Sequence, residues 1–453
     1  MVTRKGGKKP PSGTAPARAS SPVDELLSAA MERGDGSLET GRYLVTYKKG
    51  AAEQGPQTLS KKGMRVADAR EYTMQAAAAE SVGDADALWF PEIGVALVGG
   101  EAAQERGMSA KAAASDNSVE SIDPEYFVFA QGSPSESLPG FSETTLENAT
   151  SEYLRGFLSA AEAIARDLRR DVTPPQVEGA EKASEADATW GLNACRVLQS
   201  AQSGADIKVA VLDSGVDMGH PDLVGRLSAA RTQSFVGQPV QDLHGHGTHC
   251  IGTACGPQSP GESKPRYGIG FQSTILAGKV LSNSGSSVGS SVLAGINWAI
   301  ANGCQVISMS LGTPVGVQPY YTAAGQAALS RGLLIIAAAG NIGSNTDAPA
   351  NSPTIMSVAW LNPNLSPNPF SNLGKIDIAG PGQDVFSTLP MPRRYGVLSG
   401  TSMATPHVAG CAALWAGSSP SLRGPSLWMK LQATARRLPF PGIRVGAGLV
   451  QAP

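Results

Sequence analysis

Cysteine is scarce in this chain, and its few positions carry no familiar spacing. The five, Cys195, Cys250, Cys255, Cys304 and Cys411, are widely separated, odd in number and form no CxxC pair. That argues against a zinc ribbon or a disulfide-built scaffold and makes buried free thiols the default, with one disulfide left open. Long hydrophobic runs are also missing. The densest, Leu333 to Ala339, is far too short to span a bilayer and reads as a buried strand. No secretory signal or anchor is recognisable, which sets an expectation of cytoplasmic residence or non-classical export. Charge of one sign is lacking as well: a formal net charge of -2 with 16% charged residues gives no global attraction for nucleic acid or anionic membranes. The basic residues Arg4, Lys5, Lys8, Lys9 and Arg18 lie among Pro, Gly, Ser and Ala and read as a tail, not a binding patch.

At 453 residues the chain has room for one large core domain and a smaller unit. Residues 1–40 read as a flexible tail with a short helix from Val23 to Met31. Strand patterns follow at Tyr43–Tyr47, Gly94–Val98 and Tyr126–Phe129, with an Ala-rich helical stretch at Glu101–Ser115. This makes residues 41–130 a small α+β unit. Residues 131–186 then supply an amphipathic helix at about 145–170, with Leu146, Tyr153, Phe157, Ile164 and Leu168 on one face, and a linker marked by Pro174-Pro175. From residue 187 to 453 the texture is that of a wound α/β domain. Apolar strands are expected at Ile207–Leu212, Val306–Met309, Leu333–Ala339, Thr354–Val358 and Ile376–Ile378, with helices at Ser290–Ala301 and Tyr320–Ser330. Uniformly apolar strands imply a mainly parallel sheet covered on both faces, with functional loops at the carboxyl ends of its strands.

Chemistry concentrates in a few blocks. Asp213 ends an apolar run and precedes Ser214-Gly215. Asp242-Leu243-His244-Gly245-His246-Gly247-Thr248-His249 offers three histidines, and Gly400 to Gly410 holds Ser402 among small residues at a helix start. A carboxylate, a near-neutral imidazole and a hydroxyl are what acyl transfer through a serine needs. A zinc site from His244, His246 and His249 is the competing reading of the histidine cluster. The α/β-hydrolase nucleophile elbow does not fit, since position 404 is Ala where that motif requires Gly.

In identity, order and approximate spacing the Asp213, His246 and Ser402 blocks resemble the subtilisin-like serine proteases, the subtilase family. The resemblance implies a doubly wound, mainly parallel sheet, with residues 41–130 as a ferredoxin-like α+β propeptide that assists folding and then inhibits. It implies Asp213, His246 and Ser402 as the triad, and Asn341, after Ala337-Ala338-Ala339-Gly340, as an oxyanion donor beside the Ser402 backbone. Ser284-Gly285-Ser286 and Ser310-Leu311-Gly312 match the segments that bracket an extended peptide. Leu311, Gly312, Ala338, Ala339 and Gly340 would wall the first pocket. Because Ile342 stands where some relatives carry an acid, an apolar or aromatic residue is expected before the cut. Cys250 matches the buried cysteine under the histidine in the proteinase K-like branch, a packing residue that would confer mercurial sensitivity. Asp222 matches an acid that helps hold structural calcium, although the usual companion loop departs after Gly256; no cofactor is implied for the chemistry. The expected partners are protein and peptide substrates and the chain's own amino-terminal unit. The activity implied is that of a zymogen endopeptidase. A dedicated processing protease or transpeptidase, and a permanently blocked scaffold, stand as alternatives.

Overall fold

A computed structural model describes residues 21–33, 37–51, 54–71, 85–108, 116–131, 188–262 and 264–453. The expected tail over residues 1–20, the helix near 145–170 and the linker at 171–186 lie outside these described residues. The amino-terminal part runs α1 (Pro22–Arg33), β1 (Glu39–Tyr47), α2 (Gly55–Lys61), β2 (Val66–Asp68), β3 (Ala87–Phe90), β4 (Val95–Val98), α3 (Gly100–Glu105) and β5 (Val119–Ala130). The expected short helix near Val23 is α1, and the Ala-rich stretch from Glu101 opens as α3, with its residues 109–115 outside the described ones. Strands β5, β1, β4 and β3 lie side by side in antiparallel array, with β2 added in parallel at the edge. Helix α2 falls between β1 and β3, and α3 between β4 and β5, the split βαβ arrangement of a ferredoxin-like unit.

The two faces of this sheet follow from alternation of side chains along each strand. Val45, Tyr47, Trp89, Ala96, Val98 and Ile122 pack against Leu59 and Ala103 of α2 and α3. Their neighbours Leu44, Leu88, Phe90, Val95 and Leu97 point the other way and join a core that belongs to the second part of the chain.

That second part runs α4 (Trp190–Ala194), β6 (Lys208–Asp213), β7 (Thr232–Ser234), α5 (His246–Cys255), β8 (Thr274–Lys279), β9 (Ser286–Val288) and α6 (Gly289–Ala301). It continues through β10 (Val306–Met309), β11 (Leu311–Gly312), α7 (Pro319–Ser330), β12 (Leu334–Ala338), β13 (Met356–Leu361), β14 (Ile378–Pro381), β15 (Val385–Thr388) and β16 (Tyr395–Leu398). Helices α8 (Thr401–Ser418), α9 (Gly424–Thr434) and α10 (Gly442–Val445) close it. The central sheet has the order β14-β13-β12-β10-β6-β8-β7 and every pair is parallel. Helices α5 and α8 cover one face through Cys250, Ile251, Val408 and Ala412. Helices α6 and α7 cover the other through Val292, Ile296 and Ala324. The sheet is thus doubly wound. Its order reverses at β6, whose neighbours β8 and β10 come later in the chain, and ligands of such sheets bind outside the carboxyl ends at this switch point.

Candidate active site

Asp213, His246 and Ser402 come from three elements whose ends converge at that switch point. Asp213 is the last residue of β6 and is almost fully buried. Its Oδ1 accepts a hydrogen bond from the Ser214 N–H at 2.7 Å and lies 2.8 Å from His246 Nδ1. His246 opens α5 after Gly245, whose φ of 100° favours glycine. Burial lowers the imidazole pKa, but the Asp213 charge outweighs it and holds His246 well above the ordinary histidine range. Cys250, one turn on, lies under the ring with Sγ 4.0 Å from Nδ1, and burial raises its thiol pKa.

Sequence reading passed over the group that fixes this turn. Asp242 is fully buried; its Oδ1 accepts from the N–H groups of His244 at 3.0 Å and Gly245 at 2.8 Å, and from Ser214 Oγ at 3.0 Å. Its Oδ2 accepts from Thr248 N at 2.9 Å and Thr248 Oγ1 at 2.7 Å. Burial alone would raise its pKa, yet the Lys279 charge and these donors bring it below the usual carboxylate value. Lys279 is buried at the end of β8, with Nζ donating to the Ser214 carbonyl and to Asn283 Oδ1, and burial pushes it down to about 8. An acid three residues before the Gly245-His246-Gly247 cluster was the available signal for Asp242; nothing local marks Lys279.

Ser402 is the second residue of α8, where backbone N–H groups have no partner within the helix. Gly400 precedes the helix at φ 139°, and a Cβ there would meet Asn341 Nδ2 at 3.0 Å and the Gln131 carbonyl oxygen at 3.2 Å. Asn341, just past β12, is oriented by Thr401: its Oδ1 accepts from Thr401 N at 2.9 Å and from Thr401 Oγ1 at 2.8 Å. That fixes its Nδ2 toward the space above Ser402.

The space is filled by the chain itself. The end of β5 runs between β9 and β11, with Phe127 opposite Val288, Phe129 opposite Ser286 and Gly312, and Ala130 opposite Leu311. Ala130 N donates to Gly285 O at 2.9 Å, and Gln131 N to Ser310 O at 3.2 Å. The Gln131 carbonyl oxygen accepts from Ser402 Oγ at 2.5 Å and from Asn341 Nδ2 at 2.6 Å. His246 Nε2 has no hydrogen-bond partner among the described residues. Gly285, Ser286, Ser310, Leu311 and Gly312 therefore bracket an extended segment. Ser284 lies just outside this ladder and gives its hydroxyl to Asp24 Oδ1 of α1 at 2.6 Å. Ala338, Ala339 and Gly340 are buried along the first pocket, where a Cβ on Gly340 would sit 2.6 Å from Asp347 Oδ2.

Two expectations need correction, and one competing reading falls away. Ile342 is 51% exposed and does not set the pocket's polarity. The loop beyond it folds back, with Asp347 N donating to Ala339 O at 2.9 Å, and so carries the Asp347 carboxylate into the pocket that was expected to lack one. Asp222 does not fit a calcium ion: its Oδ2 accepts from Tyr267 and Tyr395 hydroxyls and its Oδ1 from the Gly261 N–H, so donors face it where a cation needs oxygen lone pairs. The three-histidine zinc reading also fails. His249 Nε2 is held by the Val385 carbonyl at 2.9 Å, and among the described residues the one cluster with ligand geometry is Asp213, His246 and Cys250.

A carboxylate, an imidazole and a hydroxyl placed this way, under an amide aimed at a peptide carbonyl, define the active site of a serine endopeptidase on a doubly wound fold. The sequence profile of the subtilase family matches residues 204–448, and the chain belongs to that family. It is 40% identical over 242 residues to a subtilisin of Bacillus pumilus, covering 52% of this chain and 86% of that one. Subtilisin E of Bacillus subtilis (strain 168) is 36% identical over 288 residues, 61% of this chain and 74% of the relative. Thermitase of Thermoactinomyces vulgaris is 37% identical over 251 residues, 55% and 88% respectively. As a subtilase the protein is an endopeptidase acting on protein substrates, and its hydrolytic chemistry calls for no cofactor.

Proposed function

We propose that this endopeptidase is made as a self-inhibited precursor, in which residues 41–130 block the cleft and the bond between Gln131 and Gly132 is the first one cut. The observation that carries the reading is the position of the Gln131 carbonyl, held at once by Ser402 Oγ and Asn341 Nδ2. That position sets the carbonyl beside the hydroxyl that would attack it and against the donor that strengthens as negative charge develops.

In the proposed reaction the Ser402 hydroxyl turns from the carbonyl toward His246 Nε2 and gives up its proton there as Oγ attacks the Gln131 carbonyl carbon. Asp213 holds the resulting imidazolium through Nδ1. The oxyanion is met by Asn341 Nδ2 and the Ser402 N–H, aided by the positive end of α8. Collapse breaks the bond to Gly132, whose nitrogen takes the proton from His246. Water, deprotonated by the same imidazole, then hydrolyses the Gln131 ester and regenerates Ser402.

Incubation of the full chain and of Ser402→Ala, followed by terminal mapping and a casein assay, tests this. The unaltered chain is expected to yield a fragment beginning at Gly132 and casein-digesting activity, whereas the variant stays whole and inactive. Equal processing of both would overturn the reading.

A further inference from the structure

The side chain of Gln131 reaches into a closed polar pocket. Its Nε2 donates to Asp347 Oδ2 at 2.9 Å, and both residues are buried, 5% and 3% exposed. The second carboxylate oxygen is already engaged, since Asp347 Oδ1 accepts from Asn372 Nδ2 at 3.1 Å. Asn372 is locked in turn: its Nδ2 also donates to Asn345 O at 2.9 Å, and its Oδ1 accepts from the N–H groups of Ile342 at 3.0 Å and Ser344 at 3.1 Å. The walls fit closely. A Cβ on Gly312 would lie 2.8 Å from Gln131 Nε2, and one on Gly340 would collide with Asn372 Nδ2 at 2.1 Å. Asp347 Oδ2 is thus the acceptor presented to whatever side chain enters, at the depth that a glutamine amide reaches.

We propose that Asp347 makes this protease select glutamine immediately before the cut, in substrates as in its own amino-terminal segment. The inference rests on Gln131 standing in the cleft as substrate. The chemistry separates glutamine from its nearest shapes. Methionine matches its length but leaves a buried carboxylate oxygen without a donor, which is the costly half of a broken hydrogen bond. Glutamate keeps the outline and brings a second carboxylate against the first. Lysine offers donors, but its ammonium sits one bond further out than the glutamine amide nitrogen, past the depth at which Asp347 Oδ2 meets Gln131 Nε2 at 2.9 Å. Phenylalanine and leucine bring no donor. A site built around a substrate hydrogen bond rejects analogues lacking it far more strongly than an apolar pocket rejects a size change.

Burial raises the Asp347 pKa to about 7, only partly offset by the Gln131 and Asn372 amides that face it. A primary amide suits both ionisation states, because it can donate to the carboxylate or, turned over, accept from the acid.

The test is a peptide series Phe-Val-Phe-Ala-X-Gly-Ser, with X as Gln, Met, Glu, Lys, Leu or Phe, cleaved by the matured enzyme whatever its amino terminus proves to be. Glutamine is expected to exceed every other residue in kcat/KM by at least about tenfold. Asp347→Ala is expected to bring the Gln-to-Met ratio to about one, and Asp347→Asn to raise acceptance of Glu. The unaltered enzyme decides the matter even if a variant misfolds: faster cleavage after Met, Leu, Phe or Lys than after Gln overturns the inference. A glutamine preference with an amino terminus mapped away from Gly132 would instead overturn the proposed processing site and leave Asp347 as the selector.

Discussion

The two large sheets of the molecule are buried by different means. The parallel sheet around β6 is covered on both faces by helices of its own segment, so that Val306–Met309 and Leu334–Ala338 are buried end to end. Among the described residues, the antiparallel sheet of the amino-terminal unit has its own helices on one face only. On the other, Leu44, Phe90, Val95 and Leu97 share a core with Val292, Ile296, Tyr320 and Tyr321 of α6 and α7. One sheet is self-sufficient and the other borrows half of its core. The catalytic region should therefore fail through lost charge and hydrogen bonds while staying folded, whereas the amino-terminal region should fail by coming loose.

The largest effect expected on the self-sufficient side is that of Asp213→Asn, which should lower kcat about 10⁴-fold by removing the charge that steadies the imidazolium. Its pH signature has a definite sign. His246 must be neutral to accept the serine proton, so activity rises with pH through its pKa, and Asp213 holds that pKa up against burial. In Asp213→Asn the rise should move to lower pH as the plateau falls; a pH–rate profile with a lower plateau and an unmoved rise would refute the charge assignment. Asn341→Ala comes next, with a loss of roughly 10² to 10³ in kcat. Stopped-time peptide assays should show the loss in kcat much more than in KM, and a change confined to KM would count against an oxyanion role.

The same contrast explains what could be read from the sequence. Asp213, His246, Asn341 and Ser402 sit in short blocks whose neighbours are constrained by the chemistry, and uniformly apolar runs such as Leu333–Ala339 announce a sheet buried on both faces. Long-range partners leave no local trace. Asp347 lies six residues beyond Asn341 in an unremarkable Asn-Thr-Asp-Ala stretch, and only the fold-back of that loop onto Ala339 turns it into the pocket, which is why Ile342 misled. Asp222 carried the look of a calcium ligand, yet Tyr267 and Tyr395, distant in sequence, supply hydroxyl donors instead. Borrowed burial has the same character. The alternation of Leu44 with Val45 signals two apolar faces without saying that one belongs to another unit.

Docking of the borrowed sheet can be broken at Glu125. This fully buried side chain accepts from Ser290 N at 2.7 Å at the start of α6, from Thr40 Oγ1 at 2.7 Å and from Arg42 Nε at 2.7 Å. A carboxylate at a helix amino terminus is favoured by the helix dipole and by the N–H groups that lack partners there. Of these contacts only the Ser290 N–H crosses between the two parts of the chain, so Glu125→Ala should weaken docking by about 1.5 kcal/mol, or about tenfold. The readout is the interval between loss of intact mass and appearance of casein activity, which should shorten sharply. An unchanged interval would mean that the shared apolar core alone governs release.

The smallest effect belongs to α1, which lies outside the ferredoxin-like unit and reaches the substrate edge from behind. Asp24 Oδ1 accepts from the hydroxyls of Ser282 at 2.9 Å, Ser284 at 2.6 Å and Ser286 at 3.0 Å, while Val23 and Leu27 pack with Phe127, Phe129 and Val288. The helix thus clamps β5 and β9 together. Asp24→Ala should cost about 1 kcal/mol, near fivefold in the release interval, because the hydroxyls lie within reach of one another, Ser282 and Ser284 at 2.6 Å and Ser284 and Ser286 at 2.7 Å, and can turn their protons to each other once the carboxylate is gone. The network therefore closes again without its carboxylate. Leu27→Ala supplies the comparison within the same helix: if Asp24→Ala leaves the interval unchanged while Leu27→Ala shortens it, the clamp is held by apolar packing and the serine contacts only set its register.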